Sequence, residues 1–385
     1  MSKFNFLPNQ YSNNNKSTIN HSYLKEQFKD YNKILKLISK VIKNADFTLG
    51  KDVDIFEKNI ERVTGAKYAI AVGNGTDALS LSLKALGISH GDEVITTPYT
   101  FFATTASIVT CGAKPVFIDV KNDYNINENL IEQKISKKTK AILIVHWSGR
   151  PCEMEKIKKI ARRNNIKIIQ DSCHAIEAKY KNRNLISYGD ICTYSMHPLK
   201  NLNIWGDGGF ITTNDKNISK KIFLIRNHGL KNRNICKEFG FNSRLDTIQA
   251  VVANYKIKNK LSNITKKRIQ NSKLLDKLLK NIKAVKLVPR YKYLKEVFHL
   301  YQINVKNRSM LIKYLHKNSI DAKIHYPIPI HLQPAAKFLK YKKGDFPVCE
   351  NLAKTTISLP VHEFISKKDI YFVADKIKKF YNLIK

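Results

Sequence analysis

Between residues 68 and 213 the chain repeats one pattern, a short apolar run rich in β-branched residues followed by a stretch of helical periodicity. The runs are Tyr68–Gly73, Glu93–Pro98, Pro115–Val120, Ala141–His146, Ile166–Asp171, Ile191–Met196 and Gly208–Thr213. Most are continuously apolar rather than alternating, as in strands buried on both faces of a mostly parallel sheet. Helical patterns over Asp77–Leu86, Phe101–Cys111, Asn127–Lys134 and Met154–Asn164 separate several of them. Such alternation predicts an open α/β sheet with helices on both sides. Ligands of such sheets bind at the carboxyl ends of the strands. The loops there are the first place to look for function.

The flanks differ. Residues 22–63 read as helical, with a turn at Thr48-Leu-Gly50, and a long charged helical stretch from Arg244 to about Ile282 reads as a link between two units. Residues 284–385 suit a smaller α/β or α+β unit with a Pro-rich insert from His325 to Pro334. The expected division is a polar N-terminal segment with a helix over 1–44, a large domain over 45–260 and a small domain over 261–385. A length of 385 residues is ample for that.

The charge balance is unusual, with 68 Lys+Arg against 31 Asp+Glu and a net charge of +37. The lysines are spread along the whole chain, so the charge reads as mostly background, with one functional use, attraction of an anionic substrate. The polar, Asn-rich start does not read as a secretory signal, and no apolar run approaches the ~18 residues of a membrane span. The six cysteines contain no CxxC pair, which argues against a zinc ribbon or a disulfide framework. Free buried thiols, a cytoplasmic location and no metal are expected.

Three places can carry chemistry. Gly73-Asn-Gly-Thr-Asp-Ala78 follows a strand and opens a helix, where free N–H groups attract anions. A tight turn capped by Thr76 or Asp77 explains the same residues equally well, and the glycine spacing matches neither a Walker loop nor a dinucleotide fingerprint. Asp171 ends the fifth strand, where a carboxylate needs a cation or donors, although a simple cap also accounts for it, and His174 is open in the same way. Lys200 stands just past a strand end in Ser195-Met-His-Pro-Leu-Lys200, before a Gly-rich stretch that reaches Gly209. Lysine forms Schiff bases with carbonyl groups, and enzymes that use pyridoxal phosphate (PLP) pair that lysine with an acid at the ring nitrogen. A strand-end Asp, a strand-end Lys and an anion loop before both set Lys200 apart from the surface lysines.

At these residues the chain resembles the DegT/StrS-type sugar-nucleotide aminotransferases. The resemblance covers roughly residues 45–385. It is carried by Gly73-Asn-Gly-Thr-Asp-Ala-Leu79, Gly91-Asp-Glu-Val-Ile95, Thr100-Phe-Phe-Ala-Thr104, Gly112-Ala-Lys-Pro-Val116, Asp171-Ser-Cys-His-Ala175, Ser195-Met-His-Pro-Leu-Lys200, Arg226-Asn-His-Gly229, Phe241-Asn-Ser-Arg-Leu-Asp246 and His331-Leu-Gln-Pro334, in that order. It implies the fold type I of PLP-dependent transferases, a seven-stranded mostly parallel sheet in a large domain plus a smaller C-terminal α/β domain. It also implies an enzyme, a transaminase that cycles PLP and its amino form PMP. The substrates would be a nucleotide-linked keto-sugar and an amino-acid donor, L-glutamate, and the product an amino-sugar for cell-surface glycans.

The resemblance also assigns roles. Lys200 would carry PLP as a Schiff base and then shuttle protons, with Asp171 paired to the ring nitrogen. Thr76, the Gly75 and Asp77 amides and the Ser195 hydroxyl would hold the phosphate. Phe101 would stack on the ring and His174 would sit near its oxygen. Asn242 would reach the phosphate of the neighbouring subunit, making a homodimer with shared sites, and Tyr326 and His331 would lie near the sugar. Glu177 stands where the family usually has Gly and Met196 where Phe is common, both beside the site. The first 20 or so residues match nothing in the pattern and are expected to be mobile. A sugar dehydratase of the same family is the neighbouring alternative, but that group resembles this pattern with His in place of Lys200. A basic nucleic-acid-binding regulator is the alternative from another class, and it lacks any recognisable binding element.

Overall fold

The computed structural model describes residues 18–384. Seven strands form one sheet: β1 (Tyr68–Val72), β2 (Glu93–Thr96), β3 (Lys114–Phe117), β4 (Thr139–Val145), β5 (Lys167–Asp171), β6 (Ile191–Ser195) and β7 (Gly209–Thr213). Their spatial order is β1-β7-β6-β5-β4-β2-β3. The pairs β2–β3, β2–β4, β4–β5 and β5–β6 are parallel, and β7 runs antiparallel to both β6 and β1. Each expected apolar run is one of these strands. Parallel neighbours need a crossover, whereas β6 and β7 are joined by the short connection 196–208, which contains no helix and so reverses direction. That connection carries Lys200.

Helices cover the sheet because their buried residues recur at helical spacing. In Met154–Arg163 the buried positions are Met154, Ile157, Ile160 and Ala161, one stripe along the helix. The helix expected over 127–134 is not formed, and only Glu132–Lys134 makes a 3-10 turn. Asn127 Oδ1 accepts the Asn129 amide at 3.1 Å, and Asn127 gives its own amide to the Asp119 carbonyl at 2.9 Å. Asn side chains compete with a helix in this way. The charged stretch after Arg244 is two helices, Thr247–Asn259 and Leu261–Leu279, broken at Lys260. The break lets the first pack Ala250–Ala253 on the sheet while the second sends Leu275 and Leu279 into a separate C-terminal core.

That second core lies on a three-stranded antiparallel sheet, β8 (Val285–Leu287), β9 (Tyr301–Val305) and β10 (Thr356–Leu359), in the order β8-β9-β10. Helices Arg308–Lys317 and Lys367–Leu383 pack against it. The chain start is not loose throughout. Residues 1–17 lie outside the described residues, but Ile19 is buried and pairs with Ile320, and His21 N donates to Asp321 Oδ2 at 3.2 Å. Of the free cysteines, Cys152, Cys192 and Cys349 are buried, whereas Cys236 is exposed on a hairpin, against the expectation of buried thiols. Among the described residues no helix is long and apolar enough to cross a membrane.

One buried ion pair anchors the edge of the large sheet. Arg226 Nη1 donates to Glu57 Oε1 at 2.5 Å and to the Ala71 carbonyl at 2.7 Å, while Ala71 N donates to Glu57 Oε1 at 2.9 Å. Burial pushes the Glu57 carboxyl up, and the Arg226 charge opposes that. Removing one partner leaves the other as an uncompensated buried group. Arg226→Met is therefore expected to lower the unfolding free energy by about 3–5 kcal/mol, read by urea denaturation. A loss below about 1 kcal/mol would mean that the carboxyl takes up a proton and needs no counter-charge.

Candidate active site

β1, β4, β5 and β6 end at the same edge of the sheet, and the candidate residues gather there. Asp171, at the end of β5, is buried. Its Oδ2 accepts the Thr104 hydroxyl at 2.8 Å and its Oδ1 the Cys173 amide at 3.2 Å. Lys200 is half-buried in the connection after β6, its backbone held by a turn to the His197 carbonyl at 2.8 Å. Burial lowers the proton affinity of its amine, and Cys173 and Asp171 oppose that shift. Among the described residues its Nζ makes no hydrogen bond or ion pair. One cleft is lined by Cys173, His174, Ser195 and Lys200.

Helix Gly75–Ala85 points its N-terminus at this cleft, and Gly75 is what lets it come close. A Cβ there would stand 2.7 Å from Ser195 Cβ and 3.3 Å from Cys173 Sγ. The cap is Asn74, not Thr76 or Asp77, because Asn74 Oδ1 accepts the Asp77 amide at 2.8 Å. The Asp77 amide is thus already engaged. Its carboxylate accepts the Ser243 hydroxyl at 2.7 Å, and Ser243 Oγ in turn accepts the Gly73 amide at 3.0 Å. The first-turn amides of Gly75 and Thr76 and the exposed Thr76 side chain remain for an anion beside Ser195.

His174 is buried, its Nδ1 without a hydrogen-bond partner among the described residues, and its ring lies 4.2 Å from His299 and 5.3 Å from Trp147. Burial first, and then the Lys200 charge, holds His174 well below the usual imidazole range. Burial and His174 do the same to His299, whose Nδ1 is also unpartnered. His299 arrives from the C-terminal unit, through a strand-like contact in which Val297 N donates to Gly149 O at 3.1 Å and His299 N to Ser148 O at 2.9 Å. Phe101 caps helix Phe102–Thr110, with its ring exposed and 5.9 Å from Tyr326. Tyr326 also lies 5.6 Å from Trp147, which brings it to the mouth of the cleft.

Two sequence candidates stand elsewhere. Asn242 is exposed on a backbone bridge to Asn227, away from the helix start, which falls at Thr247. His331 is buried, its Nε2 3.1 Å from Glu350 Oε1 and its ring 4.7 Å from Phe346. None of these contacts belongs to the Lys200 cleft. Glu177 has a positive φ of 63°, so the family's Gly has a backbone reason, and its carboxylate accepts the Thr265 hydroxyl. Met196 is fully buried in the main core. Thr104, Ser243, Trp147 and His299 were missed by sequence reading. Thr104 and Ser243 stand inside quoted motifs, whereas His299 sits in no local pattern.

The arrangement has a cradle for an anion, a carboxylate lacking a cation, an unpaired amine and a flanking imidazole. It suits a planar ligand with a phosphate, a carbonyl and a protonated ring nitrogen. The fold and this set define the class of PLP-type aminotransferases. The model of the DegT/DnrJ/EryC1/StrS aminotransferase family matches residues 29–378, and the chain belongs to that family. It is 38% identical over 366 residues to the pleiotropic regulatory protein of Geobacillus stearothermophilus, covering 93% of this chain and 97% of that one. It is 35% identical over 365 residues to the dTDP-3-amino-3,6-dideoxy-alpha-D-galactopyranose transaminase of Aneurinibacillus thermoaerophilus, covering 94% and 97%. The ketimine complex of DesV from S. venezuelae superposes with a TM-score of 0.91 at 28% identity, over 93% of this chain and 97% of that one.

The left-handed backbone at Glu177 is directly testable. Glu177→Ala loses the Thr265 bond and keeps the strain, whereas Glu177→Gly loses the same bond and relieves it. The Gly variant is expected to be more stable than the Ala variant by about 1 kcal/mol, read from chemical denaturation. Equal stability would mean that the backbone rearranges around Ala.

Proposed function

We propose that the chain is a PLP-dependent aminotransferase acting in the cytoplasm on a nucleotide-linked keto-sugar, with L-glutamate as amino donor, in the making of cell-surface glycans. The observation that carries this reading is the half-buried Lys200 amine close to a buried Asp171, neither of them in an ion pair among the described residues. When bound, PLP supplies a carbonyl that accepts an amino group and a protonated ring that holds the electrons released from a C–H bond. The residues present fit that group.

Lys200 Nζ is the covalent anchor. Burial keeps its proton affinity low, so the freed amine can take a proton from the donor's carbon and return it to another atom. Asp171 provides the anion that holds a proton on the ring nitrogen. The Gly75 and Thr76 amides, with the Thr76 and Ser195 hydroxyls, take the phosphate at the positive end of their helix. The Asp77 amide has no share in this, being engaged by Asn74. Neutral His174 would offer its unpartnered Nδ1 to the ring oxygen, and Phe101 would cover the ring face. Glutamate leaves as a 2-oxo acid in the first half and the sugar leaves aminated in the second, so the kinetics are ping-pong.

Tyr326 would meet the sugar, a role supported by its contacts with Phe101 and Trp147 at the mouth of the cleft. The net charge of +37 favours capture of an anionic, nucleotide-linked substrate. The assembly is read as a homodimer in which Asn242 serves the neighbour's site. Asn242 is exposed, and Phe239 (96%) and Phe241 (41%) beside it present apolar surface that a second copy would cover.

Lys200→Ala is expected to fold, to lose the absorbance band near ~400 nm and to lose turnover on a panel of nucleotide-linked keto-sugars. Borohydride treatment of the wild type should fix a PLP-sized mass on Lys200, and a mass on another lysine would overturn the assignment. A mixing experiment tests the shared site. Lys200→Ala and Asn242→Ala homodimers should each be weak, and exchanged mixtures should regain activity, because a mixed dimer carries one site with neither lesion. No gain after verified subunit exchange, or a monomer in light scattering, would sink the shared site.

A further inference from the structure

The support behind Asp171 has a direction that hydrogen counting determines. Asp171 is 7% exposed, and among the described residues its hydrogen bonds come from neutral donors, the Cys173 amide at 3.2 Å and the Thr104 hydroxyl at 2.8 Å. Thr104 is completely buried, and its Oγ1 also lies 2.8 Å from Thr100 Oγ1. A threonine hydroxyl has one hydrogen. Since Thr104 gives its hydrogen to Asp171, the contact between the threonines must run from the Thr100 hydroxyl to the Thr104 oxygen. The chain therefore reads Thr100 to Thr104 to Asp171, with every donation toward the carboxylate.

Side chains of this kind in a helix commonly bond back to a carbonyl one turn earlier. Ser107 does so in the same helix, donating to Ala103 O at 2.7 Å. Thr104 forgoes that bond and reaches across to the end of β5. Both threonines flank Phe101 at the start of helix Phe102–Thr110, so one helical turn carries the stacking ring and the support of the acid.

We infer that Thr104, with Thr100 behind it, is a positioning residue that keeps Asp171 charged and oriented toward the cofactor's ring nitrogen. This inference rests on the function proposed above. A donor on a carboxylate favours its charged form. A hydroxyl that itself accepts a hydrogen bond is the better donor. Without Thr104 the carboxylate competes harder for the proton it shares with the ring nitrogen. The proton then moves toward Asp171, and the ring holds the electrons of the broken C–H bond less well.

The test uses the holoenzyme reconstituted with PLP labelled with 15N in the ring, which reports pyridinium against neutral pyridine by its NMR shift. The wild type and Thr104→Ser should give the pyridinium shift. Thr104→Val should move toward the neutral value, and Thr100→Val should move part of the way. In Thr104→Val, kcat should fall roughly ten- to a hundredfold, with little change in KM for the amino donor. A wild-type 15N shift and kcat in Thr104→Val, with only the melting temperature lowered, would make the chain purely structural and overturn the inference. If Thr104→Val does not fold, Thr100→Val decides, and an unmoved shift there overturns it equally. Failure of the underlying function looks different. A wild type that binds no PLP, or whose ring shift is indifferent to Asp171→Asn, would sink the proposed function itself.

Discussion

Parallel hydrogen bonding between strands buried on both faces is the constraint on which everything else here depends. Strands paired in this way, β2 with β3 and β4, β4 with β5 and β5 with β6, all end at one edge, and β1 ends there too because two antiparallel steps separate it from β6. The chain has to leave the sheet there with unsatisfied backbone and polar side chains. Gly75, Trp147, Asp171, His174 and Ser195 are therefore neighbours although they are far apart in sequence. The single reversal, from β6 into β7, places the connection bearing Lys200 over that edge.

The polar groups at this edge are arranged around what the protein leaves unpaired. Arg226 Nη1 and Glu57 pair behind the first strand, and Asn74, Asp77 and Ser243 are bonded in a chain beside the glycine loop. Asp171, Lys200 and His174 do not follow that rule: among the described residues the acid accepts from neutral donors, and the amine and the imidazole Nδ1 have no hydrogen-bond partner. Desolvated groups without partners are costly. His174 and Lys200 line one cleft with Asp171 close to the amine, and a ligand bound there would complete them.

The C-terminal unit completes the site rather than merely flanking it. Arg150 Nη1 donates to Glu296 Oε1 at 2.7 Å, and Trp147 Nε1 donates to Gln302 Oε1 at 2.6 Å. These contacts clamp residues 296–302 across the loop after β4. In doing so they set the His299 ring 4.2 Å from His174, and Gln302 Nε2, donating to the His325 carbonyl at 3.0 Å, holds the segment that brings Tyr326 against Phe101 and Trp147.

The sequence alone determined the sheet, because continuous apolar runs leave a strand no exposed face, and it located Asp171, Lys200 and the glycine loop, because strand ends carry their motifs with them. The helix over 127–134 misled it, since Asn127 turns its polar groups on its own neighbours. Only the tertiary structure decided that Asn74 is the cap, that His331 Nε2 meets Glu350 and that Thr104 reaches Asp171. It also decided that His299, far along the chain from His174, shares its pocket. Periodicity encodes which face of an element is buried, a property local to each segment. Which polar atom meets which across elements depends on how the two units dock, and no local pattern carries that information.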